Sequence, residues 1–331
     1  MQIRMGQLGT RHGHARGKWR ALVTSPDVEA AALCEPDPLA YAAMQDDDAY
    51  AGARWVATVE ELLADPRLLA VAIEGRNDES LAMAHAALDA GKHLWYDKPA
   101  GDDWPGFQAL MHKATTRNLY MQIGYMFRYQ PGFQQISDWA QAGLLGEIFA
   151  IRAHMSTQIS VSAREVIGVH AGGIFYDLAG HMLDQVVWLL GRPERVTLFA
   201  QNAATPELCG FMDNTLGVFA YESALAHIEI AAMEPRPNAR RFEVYGTKGS
   251  AITEPFDPGE TVRLVLNDPA EGYPAGETVV ALPTVTRQQM YERELHAFVR
   301  VLRGEQSPDR TADHERLVQE TLLRATGRIS G

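Results

Sequence analysis

Short apolar runs alternate with helically spaced apolar positions over the first 124 residues of the chain. Residues 69–73 form an apolar run with the length of a buried strand, residues 80–90 follow at helical spacing, and Gly91 is a typical helix stop. The predicted strands are residues 1–9, 28–34, 69–73, 93–96 and 120–124, and the predicted helices are about residues 14–24, 38–45, 60–64, 80–90 and 104–117. Such alternation predicts a parallel sheet with crossover helices, the doubly wound α/β class.

Beyond residue 125 the strand-like runs lie closer together and are separated by short turns. Helices are predicted at residues 133–144, 172–190, 287–302 and 312–325, and strands at residues 147–157, 195–201, 214–223, 226–233, 241–246, 249–253, 261–267 and 278–282. Consecutive strands with short turns favour a large, mostly antiparallel sheet with one open face. We therefore expect two domains, residues 1–124 and 125–331, the second an α+β domain whose C-terminal helix is a candidate for packing on the first.

Composition and charge restrict the class of protein. A formal net charge of −12 argues against binding to nucleic acid or to an anionic membrane surface. The only two cysteines, Cys34 and Cys209, exclude a disulfide scaffold and a CxxC metal site, and we predict no metal ligands. The first residues lack an apolar signal-peptide core, and no run approaches the roughly 20 apolar residues of a membrane span. We expect a cytoplasmic protein.

The first candidate for ligand binding is the turn after the first strand, Gly9-Thr10-Arg11-His12-Gly13-His14. A strand that ends in a glycine turn and a helix N-terminus can hold a dinucleotide pyrophosphate through backbone N–H groups. Only the first glycine of the GxGxxG pattern is in place here. A strand-to-helix turn without a ligand is therefore an open alternative.

An acidic residue, Glu35, stands at the end of the second predicted strand. At about 20 residues beyond the glycine turn, such a carboxylate hydrogen-bonds the ribose hydroxyls of NAD, and it would repel the 2′-phosphate of NADP. This position favours NAD. The alternative is an acid at the N-terminus of the helix that starts near Pro38.

Two further segments carry candidate chemistry. Asp97-Lys98-Pro99 follows a predicted parallel strand, where such folds bind ligands, although a solvated lysine in a turn is the alternative. The helix after Gly172-Gly173 places Asp177, His181 and Asp184 on one face. An Asp one turn before the histidine could orient it as a general base. The alternative is an ordinary surface Asp–His pair with a solvated Asp184.

Taken together, five segments resemble motifs of the Gfo/Idh/MocA family of NAD(P)-dependent oxidoreductases, named for glucose–fructose oxidoreductase and inositol dehydrogenase. They are residues 33–38 at the second strand's end, residues 87–93 with 97–99 (AGKHV…EKP), residues 124–131 (GYxxRxxP), residues 172–181 (GGxxxDxxxH) and residues 245–250. The resemblance spans nearly the whole chain. It implies a Rossmann domain followed by an α+β domain for substrate binding and oligomerisation.

The resemblance implies an enzyme that moves a hydride between nicotinamide and a secondary alcohol of a sugar, inositol or related polyol. Lys98 would donate a hydrogen bond to the reacting oxygen, His181 would be the base, and Asp177 would orient it or bind a neighbouring hydroxyl. The substrate-lining candidates are Tyr125, Arg128 and His170, and the cofactor-binding candidates are Gly9, Thr10, Arg11, His12, Glu35, Asn77, Asp97 and Pro99. Loops at residues 157–169 and 234–240 would contact the substrate.

The sequence departs from the family pattern at four positions. Asp97 replaces the usual Glu, Arg11 and His14 stand where the second and third glycines belong, and Ser80 replaces a usual His. An arginine at the second glycine must either swing away from the turn or bind phosphate itself. Two other interpretations therefore stay open: a non-catalytic or regulatory member of the same fold, and a glycosidase that oxidises its substrate transiently with NAD.

Self-association is also expected from the resemblance, as a homodimer or homotetramer formed through the second domain's sheet. The side chains expected at that interface are apolar residues of two adjacent strands: Leu216, Val218, Phe219, Ile228 and Ile230. The other expected partner is the small-molecule substrate.

Overall fold

A computed structural model describes residues 2–330, which form two compact units. The first unit contains residues 2–126 and 287–316, and the second unit contains residues 127–286 and 317–330. In the described part of the chain, no helix is both long and apolar enough to cross a membrane.

The first unit is built on a six-stranded parallel sheet in the order β3-β2-β1-β4-β5-β6. Its strands are β1 (Ile3–Leu8), β2 (Val28–Cys34), β3 (Trp55–Val56), β4 (Ala70–Ile73), β5 (His93–Tyr96) and β6 (Met121–Ile123). Its helices are α1 (Ala15–Thr24), α2 (Pro38–Met44), α3 (Val59–Leu63), α4 (Ser80–Asp89), α5 (Trp104–Thr116) and α9 (Arg287–Leu302). This strand order reverses between β1 and β4, and ligands bind beyond the carboxyl ends of the strands at such a reversal. The predicted doubly wound class is confirmed.

Burial explains the apolar run that the sequence showed at β4. All four of its residues are buried, as expected for a central strand covered by helices on both faces.

Helix α9, far along the chain, packs against α1 at Gly17, where an added Cβ would lie 2.6 Å from the ring of Tyr291. The edge strand β3 was not predicted, because two residues carry no periodicity.

The second unit contains an eight-stranded sheet in the order β14-β13-β12-β11-β7-β10-β9-β8. Its strands are β7 (Ile148–His154), β8 (Arg195–Gln201), β9 (Asn214–Ala220), β10 (Leu225–Ala231), β11 (Arg241–Gly246), β12 (Gly249–Thr253), β13 (Thr261–Leu266) and β14 (Gly276–Ala281). Its helices are α6 (Pro131–Gln141), α7 (Val161–Ile167) and α8 (Ile174–Leu190), and the division between the units falls within α10 (Ala312–Ala325). All neighbouring strands are antiparallel except β7 and β10, which confirms the mostly antiparallel sheet. Helix α7 was expected to be loop.

One face of this sheet is covered by α8, which packs on β7, β9 and β10. The prediction that Phe219, Ile228 and Ile230 lie on the uncovered face is wrong, because all three are fully buried. Side chains alternate along a strand, and the pairing of Ile228 with Gly217 places odd residues of β9 on the same face as even residues of β10. The apolar side chains that remain exposed on this sheet are Phe149, Phe199, Leu216, Leu225 and Val279.

Candidate active site

The turn after β1 approaches the loop after β4 very closely. Gly9 has φ +92°, and a Cβ added to it would lie 2.5 Å from the backbone nitrogen of Gly75. The backbone N–H of Gly9 donates to Cys34 O, and that of His12 donates to Glu74 O at 3.0 Å. These contacts fix the turn against the ends of both neighbouring strands. Only glycine fits at position 9.

Arg11 points away from the turn toward two carboxylates. Its Nη1 lies 3.1 Å from Asp37 Oδ2 and 2.6 Å from Glu79 Oε1. Asp37 follows β2, and Glu79 precedes α4, so the guanidinium bridges the segments on either side of β1. Of the two possibilities for an arginine at this position, the structure shows the side chain turned aside.

Glu35 is held at the end of β2 by the glycine turn. Its Oε2 accepts hydrogen bonds from the backbone N–H and the hydroxyl of Thr10, both at 2.7 Å, and its Oε1 accepts from the Asp37 N–H at 3.0 Å. The side chain that caps α2 is that of Asp37, which accepts from the N–H groups of Leu39 and Ala40. Glu35 therefore links the second strand to the ligand-binding turn.

A cavity of about 320 Å³ opens beside Glu35 at the ends of β2 and β3. Tyr41 and Trp55 line it and meet edge to face, with ring centroids 5.2 Å apart. The remaining lining residues are Pro36, Pro38, Val56 and Ala57. The sequence analysis missed this aromatic wall. An isolated Trp-Val pair between polar segments was the available signal.

Lys98 is buried directly after β5. It is 3% exposed and precedes Pro99 through a cis peptide bond, so the alternative of a solvated surface lysine is wrong. The neighbouring Asp97 is also 3% exposed and accepts a hydrogen bond from the Lys98 backbone N–H at 2.7 Å. Asn77 lies half-buried in the loop after β4, and Tyr125 is buried just after β6.

Asp97 lies at the centre of a buried group of charges that the sequence did not predict. Its Oδ2 is 3.0 Å from His14 Nδ1, 3.3 Å from His12 Nδ1 and 3.2 Å from Lys18 Nζ. Although burial by itself would raise it, these three neighbours hold the pKa of Asp97 well below its ordinary value. Burial lowers the pKa of His14 to about 4 despite the Asp97 charge. His14 is therefore neutral near pH 7.

The second unit holds His181 on α8. His181 is 2% exposed and meets Phe127 edge to face, with ring centroids 5.1 Å apart. Asp177 is half-buried one turn earlier in the same helix. Neither His181 nor Asp177 is therefore a solvent-exposed surface residue, as the alternative required.

Arg128 and Asp184 form a buried ion pair in the second unit. Arg128 Nε lies 2.9 Å from both carboxylate oxygens, and its Nη2 lies 2.6 Å from Oδ1. Asp184 is fully buried and also accepts a hydrogen bond from the Gln185 amide at 2.9 Å. The alternative of a solvated Asp184 is therefore wrong. A guanidinium held in this way is rigid.

His170, the remaining candidate, is buried before the first turn of α8. It is 5% exposed and stacks on Tyr176, with ring centroids 4.5 Å apart and planes 21° apart. Its position is therefore fixed by packing.

Comparison with known families covers both units. Residues 3–125 match the model described as "Oxidoreductase family, NAD-binding Rossmann fold", and residues 133–252 match "GFO/IDH/MocA C-terminal domain". The chain belongs to the Gfo/Idh/MocA family of oxidoreductases. The expected resemblance is thereby confirmed, and with it an enzyme that acts on CH–OH groups.

Individual members of the Gfo/Idh/MocA family are only distantly similar to this chain. The scyllo-inositol 2-dehydrogenase (NAD(+)) of Bacillus subtilis is 28% identical over 251 residues, which cover 74% of this chain and 70% of that protein. The D-xylose 1-dehydrogenase (NADP(+)) 2 of Haloferax volcanii is 26% identical over 292 residues, covering 81% and 87%. In fold, the chain is similar to UDP-N-acetylglucosamine 3-dehydrogenase GnnA of Acidithiobacillus ferrooxidans, with a TM-score of 0.79, 20% identity and coverage of 99% and 98%.

The first unit fits the dinucleotide that this family binds. The Gly9 turn leaves no room for a side chain, Arg11 is turned aside, and a cavity beside Glu35 has aromatic walls suited to the adenosine end. The residues that would hold the cofactor are therefore those of the turn, the end of β2 and the loop after β5.

Proposed function

We propose that this protein is an NAD-dependent dehydrogenase that oxidises a secondary alcohol of a sugar, inositol or related polyol, or reduces the corresponding ketone. The observation that carries the proposal is the burial of Lys98 immediately after a parallel strand of an NAD-binding domain. A buried lysine is costly unless it serves a specific interaction. The inositol and xylose dehydrogenases among the relatives support this substrate class.

In this mechanism the hydroxyl group loses its proton and the carbinol carbon loses a hydride. Lys98 donates a hydrogen bond to the reacting oxygen and stabilises its developing charge. His181 takes the hydroxyl proton, and Asp177 orients His181 or binds a neighbouring hydroxyl. Bound NAD⁺ would supply the hydride acceptor. Tyr125, Arg128 and His170 are proposed to line the substrate site.

NAD is proposed over NADP because of the charges at the end of β2. Glu35 and Asp37 place two carboxylates there, where NADP carries its 2′-phosphate. The guanidinium of Arg11 is already paired with Asp37 and Glu79. It is therefore occupied by carboxylates of the protein itself.

A thermal-shift titration with NAD⁺, NADH, NADP⁺ and NADPH, followed by a polyol screen, tests this proposal. We expect stabilisation by the NAD pair, and reduction of NAD⁺ by at least one polyol. Lys98→Ala and His181→Ala should each reduce turnover by about a hundredfold or more while retaining NAD binding. The matched controls are Lys248→Ala and His296→Ala, at exposed positions.

Other outcomes would indicate a different function. Normal turnover by both active-site variants would overturn the roles of Lys98 and His181. Stabilisation by no nucleotide would indicate a regulatory member of the family. Release of a leaving group without net NADH would indicate a glycosidase.

We also propose that a second copy of this chain covers the open face of the eight-stranded sheet. This face carries four exposed large apolar side chains, Phe199, Leu216, Leu225 and Val279, and a groove of about 630 Å³ between β8, β9 and β10. Contiguous exposed apolar surface of this kind marks interaction sites. An identical partner would cover it symmetrically, as a dimer or as part of a tetramer.

A further inference from the structure

Two histidines and two carboxylates converge in the first unit, and their side chains have no part in the hydride transfer. His12 and His14 are alternate residues of the turn after β1, Glu74 follows β4, and Asp97 follows β5. The potential ligand atoms of His12, His14 and Asp97 all lie within 4.8 Å of one another. The side chains are 9%, 11%, 0% and 3% exposed for His12, His14, Glu74 and Asp97.

Three of the six distances between these ligand atoms are close to those in a tetrahedral metal site. His12 Nδ1 lies 3.3 Å from Asp97 Oδ2 and 3.5 Å from Glu74 Oε2, and His14 Nδ1 lies 3.0 Å from Asp97 Oδ2. With metal–ligand bonds of about 2.0–2.1 Å, the ligand atoms of a tetrahedron are separated by about 3.3 Å. Small movements of His12, His14 and Asp97, and a larger movement of Glu74, which lies outside the group within 4.8 Å, would enclose an ion.

Glu74 is the second observation that indicates a cation. It is fully buried, and neither of its carboxylate oxygens has a hydrogen-bond partner among the residues that the structure describes. A buried carboxylate without hydrogen bonds is strongly unfavourable.

We propose that His12, His14, Glu74 and Asp97 bind one divalent transition-metal ion of the zinc class. Two imidazole nitrogens and two carboxylate oxygens are ligands that zinc accepts. Lys18 supports the ligands from outside, with Nζ 3.2 Å from Asp97 Oδ2, 3.6 Å from Glu74 Oε1 and 4.2 Å from the centre of the Trp95 ring. The ion joins the glycine turn to the ends of β4 and β5, and so orders the loop that carries Lys98.

The test measures metal binding by the full-length protein without nucleotide, so its result does not depend on the proposed dehydrogenase activity. Chelator-treated protein is dialysed against Zn²⁺, bound metal is counted, and melting is followed with and without Zn²⁺. We expect one tightly bound Zn²⁺ per chain and a rise in Tm of about 5 °C or more when free Zn²⁺ exceeds Kd a hundredfold. His14→Asn and Glu74→Gln should lose both effects, and the exposed-site control His112→Asn should retain them.

Co²⁺ bound to the unaltered protein provides a measurement that does not require the variants to fold. Intense visible bands typical of tetrahedral cobalt are expected, and cobalt without such bands would overturn the four-ligand site. Metal binding that survives both ligand variants would overturn it as well. Failure to bind either Zn²⁺ or Co²⁺ would overturn the proposal.

Discussion

Glu35 accepts two hydrogen bonds from Thr10, one from the backbone N–H and one from the hydroxyl, both at 2.7 Å. This contact joins the first turn of the dinucleotide-binding domain to the end of β2. The residue proposed to bind the ribose is therefore positioned by the segment proposed to bind the pyrophosphate. Changes at either residue should affect the other part of the cofactor site.

Glu35→Ala should weaken NAD⁺ binding by about tenfold to a hundredfold. A hydrogen bond to a charged group contributes about 1.5–3 kcal/mol, and this variant removes both the ribose contact and the support of the turn. Thr10→Val, which retains the backbone donor, should have a smaller effect. Isothermal titration calorimetry measures both changes, with Glu60→Gln as the exposed control. Unchanged affinity in Glu35→Ala would exclude its role in ribose binding.

Asp37→Asn should shift cofactor preference toward NADP⁺. The substitution removes one of the two carboxylates that hold the Arg11 guanidinium and one negative charge near the ribose. The ratio of Kd for NADP⁺ to Kd for NAD⁺ should fall by about tenfold, or about 1.4 kcal/mol, which is close to the interaction of two charges about 4 Å apart in water. Combining this substitution with Arg11→Ala should abolish the gain. If the ratio stays the same in Asp37→Asn, Arg11 does not control cofactor choice.

The elements that the sequence predicted well are those with a strong period or a clear stop. The bounds of β8, β11, β12 and α9 agree residue for residue with the structure, because alternation or helical spacing is bounded there by turn residues. Helix α7 was missed because its seven residues are too few to establish a helical period. The prediction of the sheet face on which Phe219 lies was wrong. Strand pairing, rather than composition, decides which alternate residues contact α8.

Much of the candidate site could be predicted because its residues lie just after parallel strands, and the sequence shows where those strands end. Lys98 was found because residues just after a parallel strand face the ligand crevice. The buried group around Asp97 was not found, because Lys18 lies on a helix whose charges usually face solvent and His14 was considered only as a replacement for the third glycine. The pairing of Arg128 with Asp184, 56 residues apart, was also missed, since neither residue's neighbours specify its partner.

Asp184→Ala should destabilise the second unit by about 3–5 kcal/mol, because it removes the carboxylate that is paired with the buried Arg128 charge. Urea unfolding monitored in the second unit measures this loss. The matched control is Glu277→Gln, which breaks an exposed pair with Arg263 at 3.3 Å and should cost less than about 1 kcal/mol. Replacing both partners, as Arg128→Met with Asp184→Leu, should recover most of the stability. A loss below about 1 kcal/mol in Asp184→Ala would contradict a structural role for the pair.

Leu225→Asp on the open sheet face should convert the proposed oligomer to monomers. Leu225 is 59% exposed beside the groove on β8, β9 and β10, so the substitution costs little in the isolated chain but places a charge in the interface with a second copy. Light scattering coupled to size exclusion measures the mass, and Val23→Asp, 56% exposed on α1 of the first unit, is the control. If the unaltered protein is monomeric at high concentration, a second copy does not cover this face. If Leu225→Asp leaves an oligomer intact, the copies meet elsewhere.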